Sequence, residues 1–462
     1  MPLSIERDLL AKAAARAGGR VEIFVEHRQQ AAARFEAGLF VDPSCGFLLG
    51  AGLRLVEAEA GAPAWRFVHL ESPTEPRLLQ AADRLRGGAS DSELPAPSAG
   101  RRFRADPPSD PAALVPAGLP AALAQVERGA LGADPRVSSC RIDYEAWRQE
   151  VLIFDADGRL TEDTRASVRL QVRAAARAGG RCEEGVAVVS CPDPLDLFAS
   201  LSTAEIGRRA GDAAVARLDA APLPSGEYAV VFANRCGGAL FHEALGHALE
   251  ADVLLRGESP YAGMVGEPIA SPLITVADDP TLPGRRGSYR SDDEGTAARR
   301  TLLVKEGVLR GFMNDRRTAA ALGAEPTGNG RRGSFRDLPH PRMSNLVVEG
   351  WKDDPDEILR GTREGLYVVE LGGARVSFPS GEFAFEVADG FRIEGGRIGR
   401  PVEGAVLVGH GPEVLRRIDR VGSDFLLDPG AGSCDKEGQR LPVSLGQPTL
   451  RVSRLAVRGT AR

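Results

Sequence analysis

The sequence has no surplus of basic residues: 58 Lys and Arg stand against 64 Asp and Glu, a net charge of −6. A protein that holds nucleic acid by neutralising phosphates needs the opposite balance, so that class of partner is excluded. There is also no apolar run long enough to span a bilayer, and the opening "MPLSIERD" places charges where a secretory signal needs its apolar core. A cytoplasmic protein without membrane or nucleic-acid contacts is expected. The six cysteines, at 45, 140, 182, 191, 236 and 434, lack the close paired spacing of a zinc ribbon or a small disulfide framework. Most should be free thiols behaving as small hydrophobes. No fixed-period repeat is present, which argues against a solenoid.

A hydrophobic fraction of 43% and a charged fraction of 26% are those of a globular chain. Its 462 residues exceed one ordinary core, so two or three domains are expected. Residues 4–17 read as a helix with Ser4 as N-cap and Gly18-Gly19 as stop, followed by the strand "VEIFVEH". "GFLLGAGLRLVEAEAG" and "PAWRFVHLE" read as strands, and "PTEPRLLQAADRLRGG" as a helix opened by proline and closed by glycine. Residues 88–120, rich in Ala, Ser, Pro and Asp, read as a linker.

From "RVSSCRIDYEA" to "GVAVVS", β-rich runs separated by Asp157-Gly158 and Gly179-Gly180 predict an antiparallel meander. Residues 194–220 read as a helix, and "APLPSG" breaks the chain. Beyond it come the strand "EYAVVFAN", a hairpin across Lys305-Glu306-Gly307, two hairpins in "GEFAFEVADGFRIEGGRIGRPV", and a helix near 354–364. The expectation is an α+β protein: an N-terminal mixed α/β domain with antiparallel strands over 1–220, and a β-rich domain over 221–462.

The chemistry begins at "GGALFHEALGHALEAD", residues 237–252. In the zinc-protease helix His-Glu-x-x-His, four-residue spacing puts both imidazoles on one face and the Glu beside the bound water. Here His242 and Glu243 are followed by three residues before His247. Five steps of an ideal helix turn through about 500°, leaving the second imidazole about 140° from the first. A π-bulge would close i to i+5 and realign them; a break would also serve, and Gly246 makes either distortion easier. Gly237 and Gly238 upstream allow close backbone approach. The bland alternative is two polar histidines on a helix packed through Leu240, Leu245 and Leu249. A metal site needs a third ligand, and Glu250, Asp252, His340, His410 and the cysteines are candidates. Cys434 stands in what reads as a tight Gly/Ser/Asp turn before a strand.

Read together, "LFHEALGHALEAD" (240–252), "YAGMVGEPIAS" (261–271), "DDEGTAARRTLLVKEGVLRGFMND" (292–315), "PTGNGRR" (326–332), "LPHPRMSN" (338–345), "SGEFAF" (380–385) and "GAGSCDKEGQRLPVSLGQPTLRV" (430–452) resemble the TldD/PmbA family of bacterial and archaeal metalloproteases, in its TldD-like branch. The likeness spans the C-terminal half in colinear order.

The resemblance implies that His242, His247 and Cys434 bind Zn2+, with Glu243 as catalytic acid/base. It implies a zinc metalloprotease that degrades unfolded or short peptides or processes leader peptides, the substrate lying as an added β-strand. It also implies pairing with a related TldE/PmbA-like subunit that lacks the motif, or a homodimer. Two positions depart from the pattern: Asp435 follows the cysteine where relatives carry glycine, and His410 is not required by the family. Arg331, Arg332 and Arg342 could anchor substrate or serve the fold. The competing functions are a non-catalytic peptide-binding or assembly subunit and a metal-dependent hydrolase acting on another amide.

Overall fold

The computed structural model describes residues 5–57, 64–88, 92–93, 114–192, 202–236, 238–428 and 432–459. Ser4, most of the linker-like stretch and the first third of the helix expected at 194–220 lie outside them.

Helix α1 (Arg7–Ala17) leads into β1 (Arg20–Glu36), β2 (Leu39–Glu57) and β3 (Ala64–Glu71); α2 (Glu75–Arg86) and the two-residue β4 (Ser92–Glu93) follow. Then α3 (Leu119–Leu131) precedes β5 (Val137–Phe154), β6 (Leu160–Ala178), β7 (Arg181–Cys191) and α4 (Thr203–Leu218). These strands form one sheet in the order β4-β3-β2-β1-β5-β6-β7, antiparallel except for β3–β4. The turns fall at glycines with positive φ, Gly158 at 79° and Gly179 and Gly180 at 55° and 82°, a region that side chains other than glycine rarely occupy. Ser202 caps α4, its hydroxyl accepting from Glu205 N–H at 3.2 Å.

Strand alternation assigns the two faces of this sheet different work. Val21, Ile23 and Val25 of β1 face α1 and α2, burying Leu10, Leu78 and Leu85 at 0% exposure; farther along, Ala31 and Phe35 meet α3 and α4. Each such leucine contributes about 1.5–3 kcal/mol. The opposite face is buried as well, and beside a small apolar cluster of Phe24, Val151, Ile153 and Phe335 it is polar. There Glu22 pairs with Arg54, which reaches Glu294 at 2.6 Å; Glu26 accepts from Phe335 N–H at 2.9 Å; Arg165 meets Asp293 at 2.7 Å. The "DDEG" segment is thus a docking element between the two halves of the chain.

In the C-terminal half, five strands close a circuit: Gly226–Phe232, Leu450–Arg458, Val406–His410, Glu382–Glu394 and Glu364–Ser377, the last pairing back to the first. A second sheet contains Val276–Asp278, Asn345–Val348 and Gln439–Gln447. The largest apolar core joins the two sheets and contains Leu240, Phe241, Leu245 and Leu249.

Two local expectations are corrected. "GEFAFEVADGFRIEGGRIGRPV" has no turn at Asp389-Gly390: Glu382–Glu394 continues through it with a bulge against Glu364–Ser377, and the turns lie at the two ends of that strand, at Gly381 and at Gly395-Gly396. Cys434 lies in the strand Gly432–Lys436, opposite Leu441; the turn comes later, at Glu437 and Gly438, with φ of 52° and 74°.

Candidate metal centre

Gly238, at φ 72°, opens the His-Glu segment. Residues Ala239–Phe241 form one α-turn, His242–Gly246 a π-helix, and His247–Leu249 a 3₁₀ turn that ends at extended Glu250. The His247 N–H donates to the His242 carbonyl, closing the i to i+5 ring that the spacing requires. Leu240, Phe241, Leu245 and Leu249, all at most 1% exposed, hold the distorted helix in the core. Gly246 lies so close to Met343 that a Cβ there would sit 2.2 Å from its Sδ.

The result is two imidazoles 4.8 Å apart between ring centroids, inclined at 76°. Cys434 Sγ lies 3.4 Å from His247 Nε2, and the donor atoms of His242, His247 and Cys434 all fall within 4.8 Å of one another. All three residues are at most 6% exposed. Bonds of about 2.0–2.3 Å to a tetrahedral ion place its donors roughly 3.3–3.8 Å apart, so the cysteine–histidine contact already has that spacing. Two imidazoles and a thiolate are a soft donor set that suits zinc over magnesium or calcium.

The charges agree with that fit. Burial would raise the Cys434 thiol, yet His242 and His247 beside it hold it well below its ordinary value. Burial likewise opposes charge on His247, but Glu250 and Cys434 outweigh it and lift its pKa well above the usual range. Cys434 and Glu250 thus place negative charge on two sides of His247. Glu243, one residue past His242, has an Oε1 4.0 Å from His242 Nε2 and keeps 31% of its side chain exposed.

A second layer fixes His247. Its Nδ1 meets Glu250 Oε2 at 3.0 Å, which leaves Nε2 facing Cys434. Lys436 Nζ donates to Glu250 at 2.8 Å, to Asp252 at 2.7 Å and to the Pro341 carbonyl at 3.3 Å. Burial raises the Glu250 carboxyl, but Lys436 and His247 outweigh it and hold it well below the carboxylate range. Arg342, wholly buried, donates to the Cys434 carbonyl at 2.6 Å and fixes the strand from behind.

Of the other candidate ligands, Glu250 and Asp252 support the trio from outside it, while His340 and His410 are not members of it. Arg331 and Arg332 are buried and bind backbone carbonyls. Asp435 is exposed, because alternation along the strand turns it away from Cys434. The same alternation brings Lys436 back to the face of Cys434. Sequence reading missed that lysine, although a period of two counted from Cys434 would have found it. Phe378, also missed, sets its ring 5.6 Å from that of His247, tilted at 54°.

Among the described residues no helix is long and apolar enough to cross a membrane. Two family models match: the PmbA/TldA metallopeptidase central domain over residues 109–218 and the C-terminal domain over 225–459. The metalloprotease TldD homolog of Haemophilus influenzae is 37% identical over 340 residues, covering 72% of this chain and 70% of its own. The zinc metalloprotease TldD homolog of Saccharolobus solfataricus is 34% identical over 236 residues, 51% of this chain and 52% of its own. In fold, the chain resembles the crystal structure of TldE from Thermococcus kodakarensis, with a TM-score of 0.75 at 20% identity over 98% of this chain and 99% of that one. With a C-terminal domain match over half its length and a TldD relative 37% identical over 72% of it, the chain belongs to the PmbA/TldD metallopeptidase family as a TldD-like member.

Proposed function

We propose that the chain is a zinc-dependent peptidase acting on unfolded or short peptides, leader peptides included, with His242, His247 and Cys434 as metal ligands and Glu243 as general acid/base. The observation that carries this reading is the convergence of those three side chains from separate segments of the chain, with a carboxylate beside them that makes no ion pair closer than 4.0 Å among the described residues. A divalent ion held there supplies Lewis acidity to a water molecule and to the scissile carbonyl.

The chain's own residues do the rest. Glu250 and Lys436 hold His247 in one tautomer, keeping Nε2 free to ligate. Arg342 holds the Cys434 strand in place. Glu243 takes the proton of the attacking water and returns it to the leaving amine, a role worth about 10²–10⁴ in rate. Residues 1–220 form the first domain of this reading and 221–462 the peptidase domain. The likeness to TldE supports assembly with a TldE/PmbA-like subunit, or with a second copy, and free cysteines throughout support a reducing, cytoplasmic setting.

The test is Glu243→Gln, assayed on an unstructured peptide with metal content measured in parallel. Cleavage should fall by about 10²–10⁴ with zinc retained. Cleavage at the wild-type rate would remove Glu243 from the reaction, and a chain that cleaves without any bound metal would remove the metal.

A further inference from the structure

Six arginines converge where the N-terminal sheet meets the hairpin that carries Cys434. Arg28 and Arg165 come from the sheet, Arg286, Arg331 and Arg332 from segments beyond the metal helix, and Arg440 from the hairpin itself; together they line a narrow cavity of about 20 Å³ that no acidic side chain lines. In a chain of net charge −6 this is a local reversal of sign.

The six are not equivalent. Arg165 is neutralised by Asp163 and Asp293. Arg331 and Arg332 direct their terminal nitrogens to backbone carbonyls, although the Nε of each is buried without a partner. Arg28, Arg286 and Arg440 make no ion pair among the described residues. The Arg28 guanidinium lies over the Trp147 ring, 4.9 Å from its centroid, and its Nε is buried and unpartnered. Arg286 reaches only the hydroxyls of Ser167 and Ser433, at 3.5 and 3.4 Å, and its Nε is unpartnered too. Burial, reinforced by Arg169, Arg440 and Arg28 and opposed by the carboxylate of Glu145, pushes the Arg286 guanidinium down to about 10.

Guanidinium forks without carboxylate partners, here two half-buried (Arg28 and Arg286) and one exposed (Arg440), are matched in geometry to ligands that offer two or three oxygens at once. A cavity of about 20 Å³ only slightly exceeds the roughly 10–15 Å³ that one water needs, so it takes the leading oxygens of a charged head and leaves the rest of the ligand outside. The rest has somewhere to go: Arg28 and Trp147 also line a more open groove of about 300 Å³, where Glu145 is the acidic lining residue and the wall is otherwise neutral apart from Arg28.

We propose that this cavity is a binding site for a small oxyanion head group, a carboxylate or a phosphate, held chiefly by Arg28, Arg286 and Arg440. It is separate from the metal centre. Ser433 faces Arg286 and adjoins Cys434 in sequence, but strand alternation directs the cysteine to the other face of the hairpin. The proposal therefore stands whether or not the metal site is catalytic.

Isothermal titration of the full, metal-loaded chain in a buffer free of phosphate, sulfate and carboxylate tests it. The probes are inorganic phosphate, N-acetyl-dialanine with a free carboxylate, and the same dipeptide as its amide. Saturable binding is expected for phosphate or for the free acid, weakened about tenfold or more in both Arg286→Gln and Arg440→Gln. Phosphate alone binding identifies a phosphate site, and the acid binding without the amide identifies a carboxylate site; both outcomes support the proposal. It is overturned if neither anion binds saturably, or if the variants bind as the wild type does. Arg440 is exposed, so its variant decides the matter if Arg286→Gln does not fold.

Discussion

Replacing Lys436 by Met keeps the length and apolar stem of the side chain while removing the ammonium that joins Glu250 and Asp252. Lys436 is 10% exposed and the two carboxylates 0% and 1%, so nearly all of the lost charge is replaced by protein and not by water. Removing one partner of such a buried pair costs about 3–5 kcal/mol. Two contacts moderate the loss: Asp252 retains Arg256 at 3.1 Å, and Glu250 retains His247 at 3.0 Å. The lower end, about 3 kcal/mol, is therefore expected. For a cooperative unit of about 150–250 residues, each kcal/mol lowers Tm by about 2–4 °C, so thermal unfolding of the C-terminal half should move down by about 6–12 °C. Glu250→Gln combined with Lys436→Met removes both charges and should restore more than half of the loss. Differential scanning calorimetry on the metal-loaded and metal-stripped protein separates this effect from ligand loss. A Lys436→Met chain melting within about 1 °C of wild type, or a double variant whose loss is the sum of the singles, would refute the argument.

Other substitutions probe neighbouring links. Cys434→Ser should weaken zinc by more than the roughly 10–100-fold that loss of a supporting hydrogen bond costs, read by competition with a chromophoric chelator; unchanged affinity would exclude the thiolate from the site. Gly246→Ala gains about 1 kcal/mol of helix propensity but drives a methyl against Met343, an overpacking of about 1–3 kcal/mol, so a lower Tm and weaker zinc binding are expected together. A variant matching wild type in both would mean that Met343 simply moves aside. Burial raises the Asp163 carboxyl, but Arg165 and Arg290 outweigh it and hold it below its ordinary 3.8. Its contribution is thus full above that value and is lost as pH falls through the lower folded one. Asp163→Asn should flatten the acid limb of stability against pH, measured by urea midpoints, and an equally steep limb in the variant would point to other groups.

The sequence spoke most clearly where a local rule acts alone. Glycines at positive φ marked the turns at 158, 179–180 and 307, and helical geometry required a bulge or a break between His242 and His247, of which the protein uses the bulge. It misled where two local signals compete. Asp389-Gly390 has turn chemistry, yet pairing with Glu364–Ser377 carries the strand through it. Around Cys434, Gly and Ser on one side and Glu437-Gly438 on the other both announce a turn, and only the second pair makes one. What no spacing rule reaches is the meeting of Cys434 with His247 across 187 residues, which tertiary packing alone creates and which family resemblance alone anticipated. The arginine cavity was invisible for the same reason, its walls coming from both halves of the chain.

The π-turn also carries a consequence for how such a site can be inherited. Deleting one residue between Glu243 and His247 would restore the four-residue spacing of ordinary zinc-protease helices. It would also shorten the segment by about 1.5 Å and rotate everything downstream by about 100°. Neither end is free to follow. Gly238 N–H is tied to Gln447, while Leu249 and Ala251 exchange backbone hydrogen bonds with Met313 on a different segment. A one-residue deletion would swing Glu250 away from Lys436 and His247 at once, so no single-residue step leads from this spacing to the other with a working site in between. The extra residue acts as a ratchet: with both anchors formed around it, the length of the motif is locked by contacts that lie outside the motif itself.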